Sequence, residues 1–138
     1  MIIFDSNLAG FDLNNKSDFK NWLMQVILKE GKTAGDIHYV FLSDDDLLKI
    51  NEQYLDHHDY TDIITFPLSE SESIIRGEIY ISIPRVKENS ELNGTGFRKE
   101  LSRVIVHGVL HLLGYDDHTD EEKQIMRSKE DYYINLLP

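Results

Sequence analysis

The spacing of apolar residues changes period along the chain, and each change predicts an element. Met1 to Phe4 predicts a short edge strand. Phe19, Leu23, Val26 and Ile27 then recur at helical spacing, with Asn15 or Ser17 to open the helix and Gly31 beyond its end near Leu28. Ile37 to Leu42 is rich in β-branched and aromatic residues, which predicts a strand. Ser43 is a candidate helix cap, because Asp44, Asp45 and Asp46 fill the next turn, where the helix dipole favours carboxylates. Leu47, Leu48 and Ile50 carry that helix to about Tyr54.

The polar run from Leu55 to Tyr60 predicts a loop, and Thr61 to Phe66 a strand stopped by Pro67. After a Ser/Glu-rich excursion over Ser69 to Ser73, Gly77 to Ile83 alternates and predicts another strand; Pro84 suits the first turn of a short helix. Asn93 to Gly96 breaks the chain before a long helix, from about Phe97 to Leu113. Val104, Ile105, Val106, Leu110, Leu112 and Leu113 make that helix apolar nearly all round, so it is expected to be buried. Thr119 with Glu122 is a capping-box pattern opening a last helix to about Asn135, whose Ile125, Met126, Tyr132, Tyr133 and Leu136 are expected in the core. No internal repeat or linker interrupts this order. Residues 1–138 are therefore expected to form one domain of α/β or α+β layers.

Candidate chemistry concentrates at the end of the long helix. His107 and His111 stand four apart, so they lie on one helical face and can reach one ion. Buried histidines need polar partners, and a shared ion supplies one to both. Gly114 can take the left-handed conformation that ends a helix, after which the chain can return Asp117 or His118 to the same ion. Asp117 is favoured by its register after the glycine; Asp116 is expected to be a solvated turn residue. Three protein ligands and an open fourth position describe a catalytic zinc site. The spacing resembles the zinc-protease string H-E-x-x-H-x-x-G-x-x-H, but Gly108 stands where that string has its general base. Ordinary protease chemistry is therefore not expected, and the glycine is expected to admit something close to the helix, a substrate backbone being one candidate.

Composition narrows the picture. The chain has no cysteine, so any transition metal must be held by His and carboxylates, and a reducing compartment is compatible. It opens without a signal-peptide pattern and has no apolar run long enough to span a bilayer, which favours the cytoplasm and no membrane association. The net charge of −11 argues against a general binder of nucleic acid or anionic membrane. Residues 76–103 run the other way, with six basic against four acidic side chains. Arg85, Arg98 and Arg103 in that stretch are candidates for phosphate contact, with solvated surface charge the plainer expectation for each.

The string His107-Gly-Val-Leu-His-Leu-Leu-Gly-Tyr-Asp116 resembles the signature of the YbeY family of rRNA-maturation endoribonucleases. Asn51 to Tyr54, Thr61 to Pro67, Gly77 to Pro84 and Glu100-Leu101 resemble further blocks of that family in order and spacing, from about residue 36 to the C-terminus. The resemblance implies an α+β fold, with a small mixed sheet, packing helices and a metal cleft at the end of the central helix. It implies a zinc-dependent, single-strand-specific endoribonuclease. The family's role is 3′-end maturation of small-subunit rRNA and late ribosome quality control, with the small subunit, a ribosomal protein and an Era-type GTPase as partners.

Three positions depart from the family pattern. Asp117 stands where the third ligand is usually His; a carboxylate there weakens the ion as a Lewis acid and widens the choice of metal. Leu55 replaces an arginine thought to contact RNA phosphate, and Tyr60 replaces a proline. His57 and His58 share that loop, either as solvated side chains or as substitute substrate or proton-transfer groups. Asp62 and His118 are weak candidates for the general acid, Asp62 alternatively bracing its strand. A ribosome-assembly factor with a structural metal, or another metal-dependent hydrolase, is the competing class.

Overall fold

The computed structural model describes residues 1–138. Four strands and five helices alternate in the order β1 (Ile2–Ser6), α1 (Lys16–Lys29), β2 (Thr33–Leu42), α2 (Asp44–Leu55), β3 (Ile63–Pro67), β4 (Ile74–Ser82), α3 (Ile83–Leu92), α4 (Phe97–Leu112) and α5 (Asp120–Ile134). The strands form one mixed sheet in the order β1-β2-β4-β3. Pairs β1/β2 and β2/β4 are parallel, whereas β3 runs antiparallel to β4. The fold is thus α+β, and no helix is long and apolar enough to cross a membrane.

Alternation divides the sheet into two faces. Ile37, Tyr39, Phe41, Ile75, Ile79 and Ile81 point into the larger core with α1, α4 and α5. Val40, Leu42 and Ile64 point the other way and are covered by Leu47 of α2. Ser43 caps α2 by accepting from the Asp46 amide, and Thr119 and Glu122 complete a capping box on α5, both as expected from sequence. Asn15 precedes α1 in a left-handed conformation without a side-chain cap.

Two expectations are corrected. Strand β4 starts at Ile74, inside the stretch read as leading to a strand at Gly77, because Thr33 and Ala34 of β2 pair with Ile74 and Ile75. On α5 only Met126, Glu130 and Tyr133 are buried; Ile125, Tyr132 and Leu136 face solvent. One stripe of a surface helix suffices for packing, so the remaining apolar residues lie outside it.

Candidate metal centre

Helix α4 ends in a Schellman motif. Gly114 has φ +104°, its amide donates to the His111 carbonyl at 3.0 Å, and the Tyr115 amide donates to the Leu110 carbonyl at 3.0 Å. The chain folds back over the final turn and delivers Asp117 to the two imidazoles. The facing Nε2 atoms of His107 and His111 are 3.0 Å apart, and Asp117 Oδ2 lies 3.4 Å from the first and 3.6 Å from the second. A tetrahedral ion bonded at about 2.0–2.1 Å spaces its ligand atoms roughly 3.3–3.4 Å apart. The observed triangle brackets that spacing, so the three side chains could hold one ion.

His107 is oriented from behind. Its Nδ1 lies 2.6 Å from Glu130 Oε2, so Nδ1–H donates to the carboxylate and the Nε2 lone pair faces the triangle. Glu130 is only 4% exposed, and its other oxygen accepts from Arg103 Nη1 at 3.0 Å. Arg103 Nη2 donates in turn to Asp131 at 2.7 Å. Burial pulls the His107 pKa down, but the hydrogen bond and charge of Glu130, with Asp117 and Asp62, outweigh it and leave the pKa raised. His111 is lowered, first by burial and then by its neighbour His107. Of the two imidazoles, His107 is therefore the one whose surroundings favour a proton.

The triangle borders a cleft of about 780 Å³, which His57, Tyr60, Asp62, Asp116 and His118 also line. Asp117 contributes to the triangle, while His118 lines the cleft outside it. Asp62 precedes β3 and braces the sheet by its carbonyl, which accepts from the Ser82 amide at 2.9 Å. Burial raises its carboxyl pKa, His107 opposes the rise, and Glu100 and Glu130 add to it. Of the two loop histidines, His57 reaches the cleft; His58 stands exposed beside Asp56. Asn51, buried on α2, pins this loop by donating to the Asp59 carbonyl at 2.8 Å.

Arg85, Arg103 and Gly108 differ from their expected roles, whereas Arg98 is exposed as expected. Arg103 is 12% exposed at its side chain and held by Glu130 and Asp131; Arg85 is bonded to Asp44 at 2.6 Å. Neither is solvated surface charge. Arg98 sits over the Phe19 ring. No lysine or arginine lines the cleft. At Gly108, an added Cβ would lie 2.9 Å from Ile79 Cδ1 and 3.2 Å from Ile63 Cδ1. The close neighbour is therefore the sheet, not a substrate, and the general-base position of zinc proteases faces the core here.

Glu130 escaped the sequence reading, since nothing in the spacing connects residue 130 to residue 107. The available signal was a carboxylate on the stripe Met126–Glu130–Tyr133, where an apolar residue is expected. A second carboxylate steadies the turn before Asp117. Glu30, at the end of α1, accepts from Tyr115 Oη at 2.5 Å, from Lys129 Nζ at 3.1 Å and from the Tyr133 hydroxyl. Tyr115→Phe should lower metal affinity about 10-fold by freeing that turn. Tyr133→Phe, which removes a bond to the same carboxylate from α5, should change affinity little. Chelator competition on both variants tests this; equal losses would make the network a stability element only.

The family described as Endoribonuclease YbeY matches residues 6–137, reaching further toward the N-terminus than the motif blocks. An Endoribonuclease YbeY of Flavobacterium psychrophilum is 45% identical over 137 residues, covering 99% of this chain and 96% of that protein. One from Cytophaga hutchinsonii is 43% identical, covering 98% and 94%. The solution structure of TM1509 from Thermotoga maritima superposes with a TM-score of 0.67 at 32% identity, covering 99% of this chain and 89% of that one. With this full-length likeness and the motif helix folded onto a three-donor triangle, the chain belongs to the YbeY endoribonuclease family.

Proposed function

We propose that this chain is a zinc-dependent, single-strand-specific endoribonuclease of the cytoplasm. Its proposed role is 3′-end maturation of small-subunit rRNA and late ribosome quality control. The small subunit, a ribosomal protein and an Era-type GTPase are the proposed partners. The observation that carries this reading is the His107–His111–Asp117 triangle on a broad cleft in a chain of an endoribonuclease family. One domain, residues 1–138, holds the whole site.

Under this reading His107, His111 and Asp117 would hold the zinc at the edge of the cleft. A zinc ion there would supply Lewis-acid polarisation of a phosphoryl oxygen and a water of pKa about 7. The protein's own groups do the rest. Glu130 keeps the His107 lone pair aimed at the ion. Asp62 and His118 line the cleft beside it and are the candidates to carry a proton to the leaving oxygen. Single strands suit such a cleft because their bases can unstack and splay out, whereas paired RNA keeps its base faces stacked inside the helix.

The test compares metal-stripped protein, protein reloaded with zinc and protein reloaded with manganese on single-stranded and duplex RNA. Internal cleavage of the single strand, restored by metal, is the expected result. Intact RNA with fully metal-loaded protein would remove the endoribonuclease assignment.

A further inference from the structure

We propose that the Tyr60 ring is a stacking platform for a base of the single-stranded RNA bound in the metal cleft. This rests on the endoribonuclease reading and adds a substrate-binding subsite to it. The starting point is charge. Proteins commonly hold RNA by pairing its phosphates with lysine and arginine, but no such side chain lines this cleft. Asp59, Asp62, Asp116 and Asp117 do line it, and Arg103, paired with Glu130 and Asp131, and Arg127 line only the adjoining cavity, so the cleft itself offers the polymer backbone little attraction apart from a bound ion. Affinity then has to come largely from the bases, whose faces stack on aromatic rings regardless of sequence.

Apart from histidine, Tyr60 is the one aromatic residue lining the cleft, and it is 49% exposed. The ring is nevertheless held in place. Its hydroxyl donates to Asp45 Oδ1 at 3.0 Å, at the start of α2. The Arg85 guanidinium lies over the ring, 5.1 Å from the centroid, and Asp44 fixes that guanidinium at 2.6 Å. The Asn51 bond to the Asp59 carbonyl pins the preceding residue. One ring face is therefore backed by a cation, and the residue is half exposed and borders the cleft. A base stacking on it meets a ring already in position, with little side-chain entropy left to lose.

The experiment uses the metal-loaded full chain and a set of single-stranded RNA oligonucleotides, identical except for one abasic nucleotide moved along the strand. In wild type, one abasic position is expected to raise KM roughly 10-fold with kcat little changed, as loss of one stacked base implies. Tyr60→Ala should raise KM on intact RNA by a similar factor and lose its sensitivity at that abasic position. Tyr60→Phe, which keeps the ring and the Arg85 contact but loses the Asp45 bond, should fall between wild type and Tyr60→Ala in KM and keep its sensitivity at that abasic position. If Tyr60→Ala cleaves intact RNA with an unchanged KM, the subsite is overturned. A variant that weakens intact and abasic RNA equally at every position overturns it too, since Tyr60 is then only a loop anchor. Absence of cleavage by wild type on every strand overturns the endoribonuclease reading and the subsite together, a result distinct from either of these.

Discussion

Asp117→Ala is expected to cost the folded protein its metal and, with it, RNA cleavage, while His118→Ala retains the ion. Asp117 Oδ2 closes the triangle at 3.4 and 3.6 Å from the two imidazole nitrogens, and His118 stands outside it. Deleting a partner that merely supports a ligand costs about 10–100-fold in affinity, so deletion of the ligand itself should exceed that range. The side chain is 37% exposed and its ion pairs are with the two histidines alone, so little folding stability goes with it. Metal content and chelator competition on both variants, with unfolding curves alongside, separate binding from stability. Retention of a full metal equivalent in Asp117→Ala would refute the assigned ligand, and its loss in His118→Ala alone would move the ligand one residue along. Asp117→His restores the ligand that the family resemblance leads one to expect. It should tighten zinc relative to manganese, because an imidazole suits zinc whereas a carboxylate also suits harder ions.

The sequence carried the elements better than their edges. Apolar periodicity located α1, β4 and α4, while β-branched and aromatic runs, helix caps and prolines located the other elements, so all four strands and five helices were found. The edges depended on partners. Asp62 was placed within a strand that begins at Ile63, and β4 began earlier than its alternation suggested because β2 was there to pair with it. At the site, the geometry of α4 was legible because i, i+4 spacing and a terminal glycine are local rules. Gly108 was legible as a close approach, but the sequence could not say that Ile79 approaches it. Glu130 and Glu30 were not legible as site residues, since each meets the motif through tertiary packing at a distant point in the chain.

Glu130→Gln and Glu130→Ala should separate orientation of the site from its stability. In both, His107 loses the charge that holds its pKa up, and burial, which pulls it down, gains weight. In metal-free wild type the raised pKa makes the protonated His107–Glu130 pair a stabilising element. Its contribution is fully present below the unfolded imidazole value of about 6.5 and is lost as pH rises through the raised folded value. Protons and metal compete for the same imidazole, so wild-type metal affinity should begin to fall above the ordinary histidine range as pH drops. In Glu130→Gln that fall should start at lower pH, on an affinity about 10–100-fold weaker near neutrality. Glu130→Ala goes further, because Arg103 loses a buried partner. Breaking such a pair costs about 3–5 kcal/mol. Arg103 keeps Asp131 at 2.7 Å and His107 can shed its proton, which places the loss near the lower end of that range. About 3 kcal/mol corresponds to a Tm lower by roughly 10–15 °C for a chain of this size. Metal titrations across pH and thermal unfolding of the metal-free proteins measure the two effects independently. If Glu130→Gln kept wild-type affinity and the same pH midpoint, Glu130 would be a packing residue with no hold on the ligand.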